Sequence, residues 1–370
     1  QMWEPEPPRT PPTRRVMEVI RCISRSFSKL RFAACAGIME KDSALNLSFV
    51  IEYVISERPD GIWPDSREHN MHSTKRFLLK KGLGLTCVTN TQCKTSCLSA
   101  MFQLPLNSEG RSLSALLPYV LRVSCRDFPG QQAVAAQLDE LYGARVEPII
   151  RKRGEAQLIG FAADVIDEHF AMRGDTDLFA NTAQMMARIL LHPGEFTAEN
   201  VAREAAQLCA RIAALPDDKR TWAVRRMYQY LCDEEAFRLV ELGDIEEIRR
   251  AAPEQLAEQY QKILQTAPLE LFYCGSLDAD QAARQLAQAF AERPEIDQLI
   301  TPKTQVLRVP KHEQLRYITE EEPVAQGKLT IGLRTGITAN DPEYPAMIVF
   351  NSCFGGSTAS RLFCHVREKM

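Results

Sequence analysis

The sequence predicts an α+β fold, built as two units that each set strands against helices. Three observations carry that prediction. Strand-like runs come first, a long helical stretch follows, and strands with a helix then return, an order that suits segregated α+β units. At 370 residues the chain is long enough for two cores. With 45% hydrophobic and 25% charged residues, its composition is that of ordinary globular protein.

Residues 1–75 stand apart from the rest. Glu4-Pro5-Glu6-Pro7-Pro8 and Thr10-Pro11-Pro12 cannot nucleate a helix. From Met17 to about Phe32, Arg21, Arg25, Lys29 and Arg31 lie among apolar residues. That basic amphipathic pattern suits a targeting presequence or a membrane-surface helix. Against it stands a disordered or poorly ordered extension, or sequence upstream of a start at Met71, and the extension is the reading adopted.

Beyond Met71 the elements follow in order. Leu83–Thr89 and 95–104 are β-branched or apolar runs around an Asn90-Thr91-Gln92 turn, a strand pair. Leu113, Leu116, Leu117, Val120 and Leu121 fall at helical spacing. A helix after Pro129 sets Val134, Leu138 and Leu141 on one face and stops at Tyr142-Gly143-Ala144. Residues 146–150 and 156–162 read as strands, and 176–191, 198–214 and 219–232 as helices. Gly243 breaks the stretch 235–260, and Pro253 starts another helix. A short buried strand over 269–274 ends at Gly275, and 279–290 is helical. The order then begins again, with strands at 305–309, Arg316–Thr319 and 328–335, a helix over 344–354, and a glycine turn.

Composition narrows the functional classes. A net charge of −3 gives no global case for nucleic acid. No apolar run approaches the roughly 18–20 residues that span a bilayer. The eleven cysteines form no C-x-x-C pair, and an odd number fits a disulfide framework poorly. Scattered, buried thiols in a reducing cytoplasm are the better reading.

Several segments carry a family resemblance. They are Gly243-Asp244-Ile245-Glu246-Glu247-Ile248, then Ala252-Pro253-Glu254-Gln255-Leu256, and Leu269 to Asp278 with its Gly275-Ser276-Leu277-Asp278 turn. The closing Gly355-Gly356-Ser357, Ser360-Arg361-Leu362-Phe363 and Val366-Arg367-Glu368-Lys369 complete the set. In order and spacing over about 76–370 they resemble the M16 (insulinase/pitrilysin, mitochondrial-processing-peptidase-like) family. Leu116 to Leu121 and Leu138 to Ala144 further resemble a bacterial, non-peptidase branch associated with modification of elongation factor P. The resemblance implies two units of mostly antiparallel sheet covered by helices, over 76–265 and 266–370. It also implies that the second is C-terminally truncated, with an open sheet edge prone to aggregation.

Active members of that family carry H-x-x-E-H on the leading helix, two imidazoles and a general base on one face, and a glutamate ligand from a later helix. Alignment puts Ala115, Pro118 and Tyr119 at the motif and Arg211 at the later ligand, where a cation opposes zinc. The later helix also offers Glu204, but residues 73–168 contain no histidine. His69 and His72 are too few for a closed zinc site. His169 beside Glu168 reads as a pH-sensitive pair or a solvated side chain, and His192, His312 and His365 are isolated. Cys93 and Cys97, four apart in a strand reading, share a sheet face about 13 Å apart.

Other chemistry finds no support. Gly355-Gly356-Ser357 lacks the Lys-Ser/Thr ending of a phosphate loop, and no G-x-S-x-G appears. As a bare turn that segment joins two helices. By resemblance it faces a chamber, where Gly355, Gly356, Ser357, Arg361 and Arg367 are candidates for contact with a peptide or partner.

The expectation is therefore a catalytically degenerate homologue with no cofactor of its own, zinc belonging only to an active M16 partner subunit. It would bind a peptide or protein substrate, not nucleic acid. The alternatives are an active zinc endopeptidase with a displaced motif, or a modification enzyme of another class using a small-molecule cofactor.

Overall fold

The computed structural model describes residues 34–39, 46–47, 73–171, 177–296, 298–302, 316–338, 340–356 and 358–368. The proline-rich start, the basic segment 17–32, the strand expected at 305–309 and His69, His72 and His312 lie outside the described residues. Contacts divide the chain into two compact units, a larger one of 63–213 with 239–304, and a smaller one of 1–62, 214–238 and 305–370.

The strands run in chain order as β1 (Ala34–Met39), β2 (Asn46–Leu47), β3 (Ser73–Lys80), β4 (Leu83–Thr89), β5 (Thr95–Pro105), β6 (Arg145–Arg153), β7 (Ala156–Ile166), β8 (Leu269–Gly275), β9 (Arg316–Thr319) and β10 (Lys328–Leu333). The helices are α1 (Arg111–Val123), α2 (Gln131–Glu140), α3 (Leu178–Leu191), α4 (Ala198–Ala213), α5 (Lys219–Leu231), α6 (Ile245–Arg249), α7 (Pro253–Thr266), α8 (Ala279–Ala289), α9 (Tyr344–Asn351) and α10 (Arg361–Glu368).

The larger unit is a six-stranded sheet in the order β3-β4-β8-β5-β7-β6. All its pairings are antiparallel except β4 with β8. β5 shows why the strands form. Ser96, Leu98, Ala100, Phe102 and Leu104 are buried and alternate with more exposed neighbours, the period of a sheet with one covered face. On the helical side, α4 buries Val201, Glu204, Ala205, Leu208 and Cys209, a single stripe at helical spacing. α2 stops where read, because Tyr142 and Gly143 both turn left-handed at φ 58° and 68°. The Ala144 N–H then returns to Leu138 O at 3.1 Å.

Two features of this sheet depart from the sequence expectation. β3 went unread, since Ser-Thr-Lys-Arg opens it with four exposed residues and no alternation. The boundary at 265/266 is also corrected, because β8 does not open the second unit. It lies inside the first sheet, parallel to β4 from Leu83↔Leu269 to Thr89↔Gly275 and antiparallel to β5. Two ladders and the buried Leu269, Leu271 and Tyr273 hold it there.

In the smaller unit the strand order is β2-β10-β1-β9, with β1 antiparallel to β10 and the other pairs parallel. Part of the stretch expected as an extension therefore supplies strands. α5 packs on β1 and β10. Charged links secure it: Arg226 Nε donates to Glu320 at 2.7 Å, and Lys219 Nζ to Glu322 at 2.8 Å.

The Gly243-Asp244-Ile245-Glu246-Glu247 run has a mechanical explanation. Gly243 adopts φ +90°, and a Cβ there would sit 2.6 Å from the Ser112 Cα on α1. Asp244 caps α6 through the N–H groups of Glu246 and Glu247. Ser112 Oγ accepts the Asp244 N–H at 2.9 Å and donates to Glu247. Gly243→Ala is expected to cost about 2 kcal/mol or more, since positive φ alone costs about 1–2 kcal/mol before the clash is counted. Ser112→Ala should cost about 1–2 kcal/mol by leaving the Asp244 N–H unpaired. Urea unfolding checks both, and a Gly243→Ala protein as stable as the parent would refute the close-approach argument.

Candidate functional site

α1 starts after Gly110 in the left-handed region and buries Ser112, residues 114–118, Val120, Leu121 and Val123. Ala115 and Pro118 belong to that buried set, with Ala115 in the hydrophobic core, and neither side chain offers a metal-binding atom. Tyr119 is half-buried and points toward α4. There Arg211 Nη1 donates to Tyr119 Oη at 2.8 Å, and the guanidinium carbon lies 4.7 Å from the ring centre. Two of the four motif-aligned positions, 92 residues apart, are thus brought into direct contact. Glu204, two turns earlier on α4, is buried and accepts from Arg203 Nε at 3.1 Å.

These side chains do not fit a zinc ion. A closed site needs three or four nitrogen, sulfur or carboxylate donors, and the aligned positions supply an alanine, a proline, a phenol and a fixed cation. Among the described residues, no group of three His, Cys, Asp or Glu side chains is placed to hold a metal.

The remaining candidates have local roles. His169 pairs with Asp167 rather than Glu168, its Nδ1 lying 2.7 Å from Asp167 Oδ1. Burial opposes ionisation of Asp167, yet hydrogen bonds from Ser276 Oγ and from the backbone and ring of His169 hold its carboxyl below the usual range. Ser276 and His169 both bind the carboxylate, so the three do not form a Ser–His–Asp relay. His192 Nε2 meets Glu292 at 3.1 Å. Cys93 lies in the turn before β5, which corrects its reading as a strand residue. Cys97 sits opposite Cys274 of β8, and burial, with Asp164 beside it, pushes its thiol up to about 11. Such a thiol carries little thiolate at neutral pH and is a poor nucleophile. An open cleft of about 470 Å³ between α2 and α3 is lined by Gln137, Glu140, Asn181, Gln184 and Arg188 over Leu141 and Met185.

The closing segment belongs to the smaller unit. α9 runs into a π-helical turn, Ser352–Gly356, which carries Gly355 and Gly356. A Cβ on Gly356 would lie 3.0 Å from Asn351 O, so the close return of the chain favours glycine. Ser357 lies outside the described residues. Ser360 is buried and accepts the Phe363 N–H at 3.3 Å, the N-cap of α10, while Leu362 is buried. Arg361 and Arg367 are exposed, with Arg367 5.3 Å over the Phe363 ring. Sequence reading singled out this motif for contact; much of it builds a helix start.

Asp167 offers a pH test. A carboxyl depressed on folding contributes stability above its unfolded pKa of about 3.9, lost as pH falls through the folded value. Asp167→Asn is expected to lower stability at pH 7 and flatten the acid limb of unfolding midpoint against pH. An unchanged acid limb would remove Asp167 from that account.

Comparisons with known proteins come to the same framework. Residues 250–370 match the family model described as Peptidase M16 inactive domain. A protein of Bacillus subtilis (strain 168) named probable inactive metalloprotease YmfF is 33% identical over 301 residues, covering 78% of this chain and 67% of that protein. Among solved structures, a conserved protein from Enterococcus faecalis V583 superposes with a TM-score of 0.67 at 24% identity, over 80% of this chain and 69% of that one. The peptidase M16 inactive domain from Pseudomonas fluorescens gives 0.58 at 18% identity, over 80% and 68%. At these identities the two structures speak to the fold.

Proposed function

The chain belongs to the M16 peptidase family as a homologue of the inactive type, and from that premise we propose that it is a subunit that holds peptide or protein without cutting it. The observation that carries the reading is the Tyr119–Arg211 contact, which sets a cation at the position aligned with the metal ligand. Chemistry then falls to a zinc-bearing M16 partner.

Two surfaces support a holding role. Among the described residues β6 is an edge strand of the larger sheet, so one row of its main-chain groups faces no other described strand and suits an added one. On α9, Ile348 and Val349 are exposed and Phe350 stacks on Phe354 at 5.4 Å, an apolar surface suited to a protein partner. A role in the modification of elongation factor P, in the cytoplasm, is the finer reading and rests on the branch resemblance. No helix among the described residues is long and apolar enough to cross a membrane.

The purified full-length protein is expected to contain far less than stoichiometric zinc and to cleave no peptide in a chelator-sensitive way. Pull-down from the native organism should recover a zinc-bearing M16 protein with it. Stoichiometric zinc with turnover abolished by chelator would overturn the reading.

A further inference from the structure

The mismatch between these side chains and a metal site leads to a positive assignment, which rests on the peptide-holding reading. We propose that Arg211, held in place by Tyr119, is a binding residue for a carboxylate on the peptide that this protein holds. A guanidinium carries five N–H groups in a planar fork. One bond to Tyr119 Oη at 2.8 Å and the ring 4.7 Å away hold that fork against a single tyrosine. Arg211 is exposed, which leaves its other N–H groups accessible, and among the described residues it makes no ion pair. Having already lost rotamer freedom, it pays less to form a bidentate bond with a carboxylate.

A last-turn arginine on α4 would also suit the helix dipole. That role needs neither a ring beneath the guanidinium nor a phenol oxygen at its edge. A second, independent observation favours an acidic ligand. α1 packs on β6, whose exposed positions include Arg145, Arg151 and Arg153. Its one acid, Glu147, is engaged by Arg122. The open edge is therefore net positive and attracts an acidic chain over a neutral one.

Three labelled peptides of one neutral sequence test this on the full chain by fluorescence anisotropy. One is amidated, one has a free C-terminal carboxylate, and one is amidated with glutamates added. A carboxylate form is expected to bind about tenfold more tightly than the neutral amide, as one charge-assisted contact implies. Arg211→Gln should remove most of that preference, bringing the carboxylate forms close to the affinity of the neutral amide. Arg211→Lys should restore part of it, and Tyr119→Phe should weaken it without lowering the melting temperature by more than a degree or so. Rising salt should shrink the preference in the parent. Preference for the C-terminal form alone, or the glutamate form alone, supports the site and identifies its carboxylate. Equal binding of all three, or a preference undiminished by Arg211→Gln, overturns the Arg211 site while peptide holding stands. Binding of none by the parent removes both.

Discussion

Helix α1 is clamped from three sides, and the larger unit is arranged around that clamp. Ser112 holds the α6 segment through the Asp244 N–H and Glu247, and Gln259 of α7 donates to Ser114 Oγ at 2.8 Å. Tyr119 takes Arg211 of α4. Beneath, the apolar stripe of α1 meets β6 and β7. None of these contacts is worth much alone, since a net hydrogen bond contributes about 1 kcal/mol. Together they fix the axial position and rotation of one helix against five other elements, so each residue along it has a determined environment. That is why Ala115 is fully buried at 0% exposure while Tyr119, one turn on, reaches the α4 surface.

The same clamp decides what α1 can do chemically. A helix that carries ligands must turn polar side chains toward an opening and hold them with second contacts. Here the polar positions near its start are spent on packing: Ser112 and Ser114 are buried and bonded to neighbouring helices. The residue that does reach outward, Tyr119, is bonded to a cation. Its ring and hydroxyl hold the guanidinium where a divalent ion would meet repulsion rather than donors.

Much of this was legible in the sequence, and the omissions have physical causes. Spacing at Leu113, Leu116, Leu117, Val120 and Leu121 gives α1, because periodicity records which face is buried. Gly243 and Pro253 mark breaks that backbone sterics require. β3 was missed because its first four residues are all exposed, which leaves only a short alternation at Phe77, Leu78 and Leu79 to detect. β8 was seen as a strand but placed in the wrong unit. Its sequence reports burial and not partners, and its ladders join it to strands nearly two hundred positions earlier. The Tyr119–Arg211 contact is equally non-local. Sequence could show that Arg211 opposes zinc, but not that a phenol on another helix already holds it. At the closing Gly-Gly-Ser and Ser-Arg-Leu-Phe motif the sequence signal was clear and its meaning mixed, since Ser360 caps a helix that Leu362 anchors.

Rebuilding a metal site on this frame would not be a matter of restoring lost letters. An imidazole at Ala115 would enter a position with no exposed surface, in a core where overpacking costs about 1–3 kcal/mol. A carboxylate at Pro118 would be buried, which costs more than burying a neutral group. A ligand at Arg211 would break the contact that joins α4 to Tyr119. Each change opposes the packing that fixes α1, and no single one recovers a site. At these positions the packing of the core, as well as the surface chemistry, opposes a metal ion. Arg211 is then less a missing ligand than a charged group in its own right, held in a unit whose open strand edge is also basic.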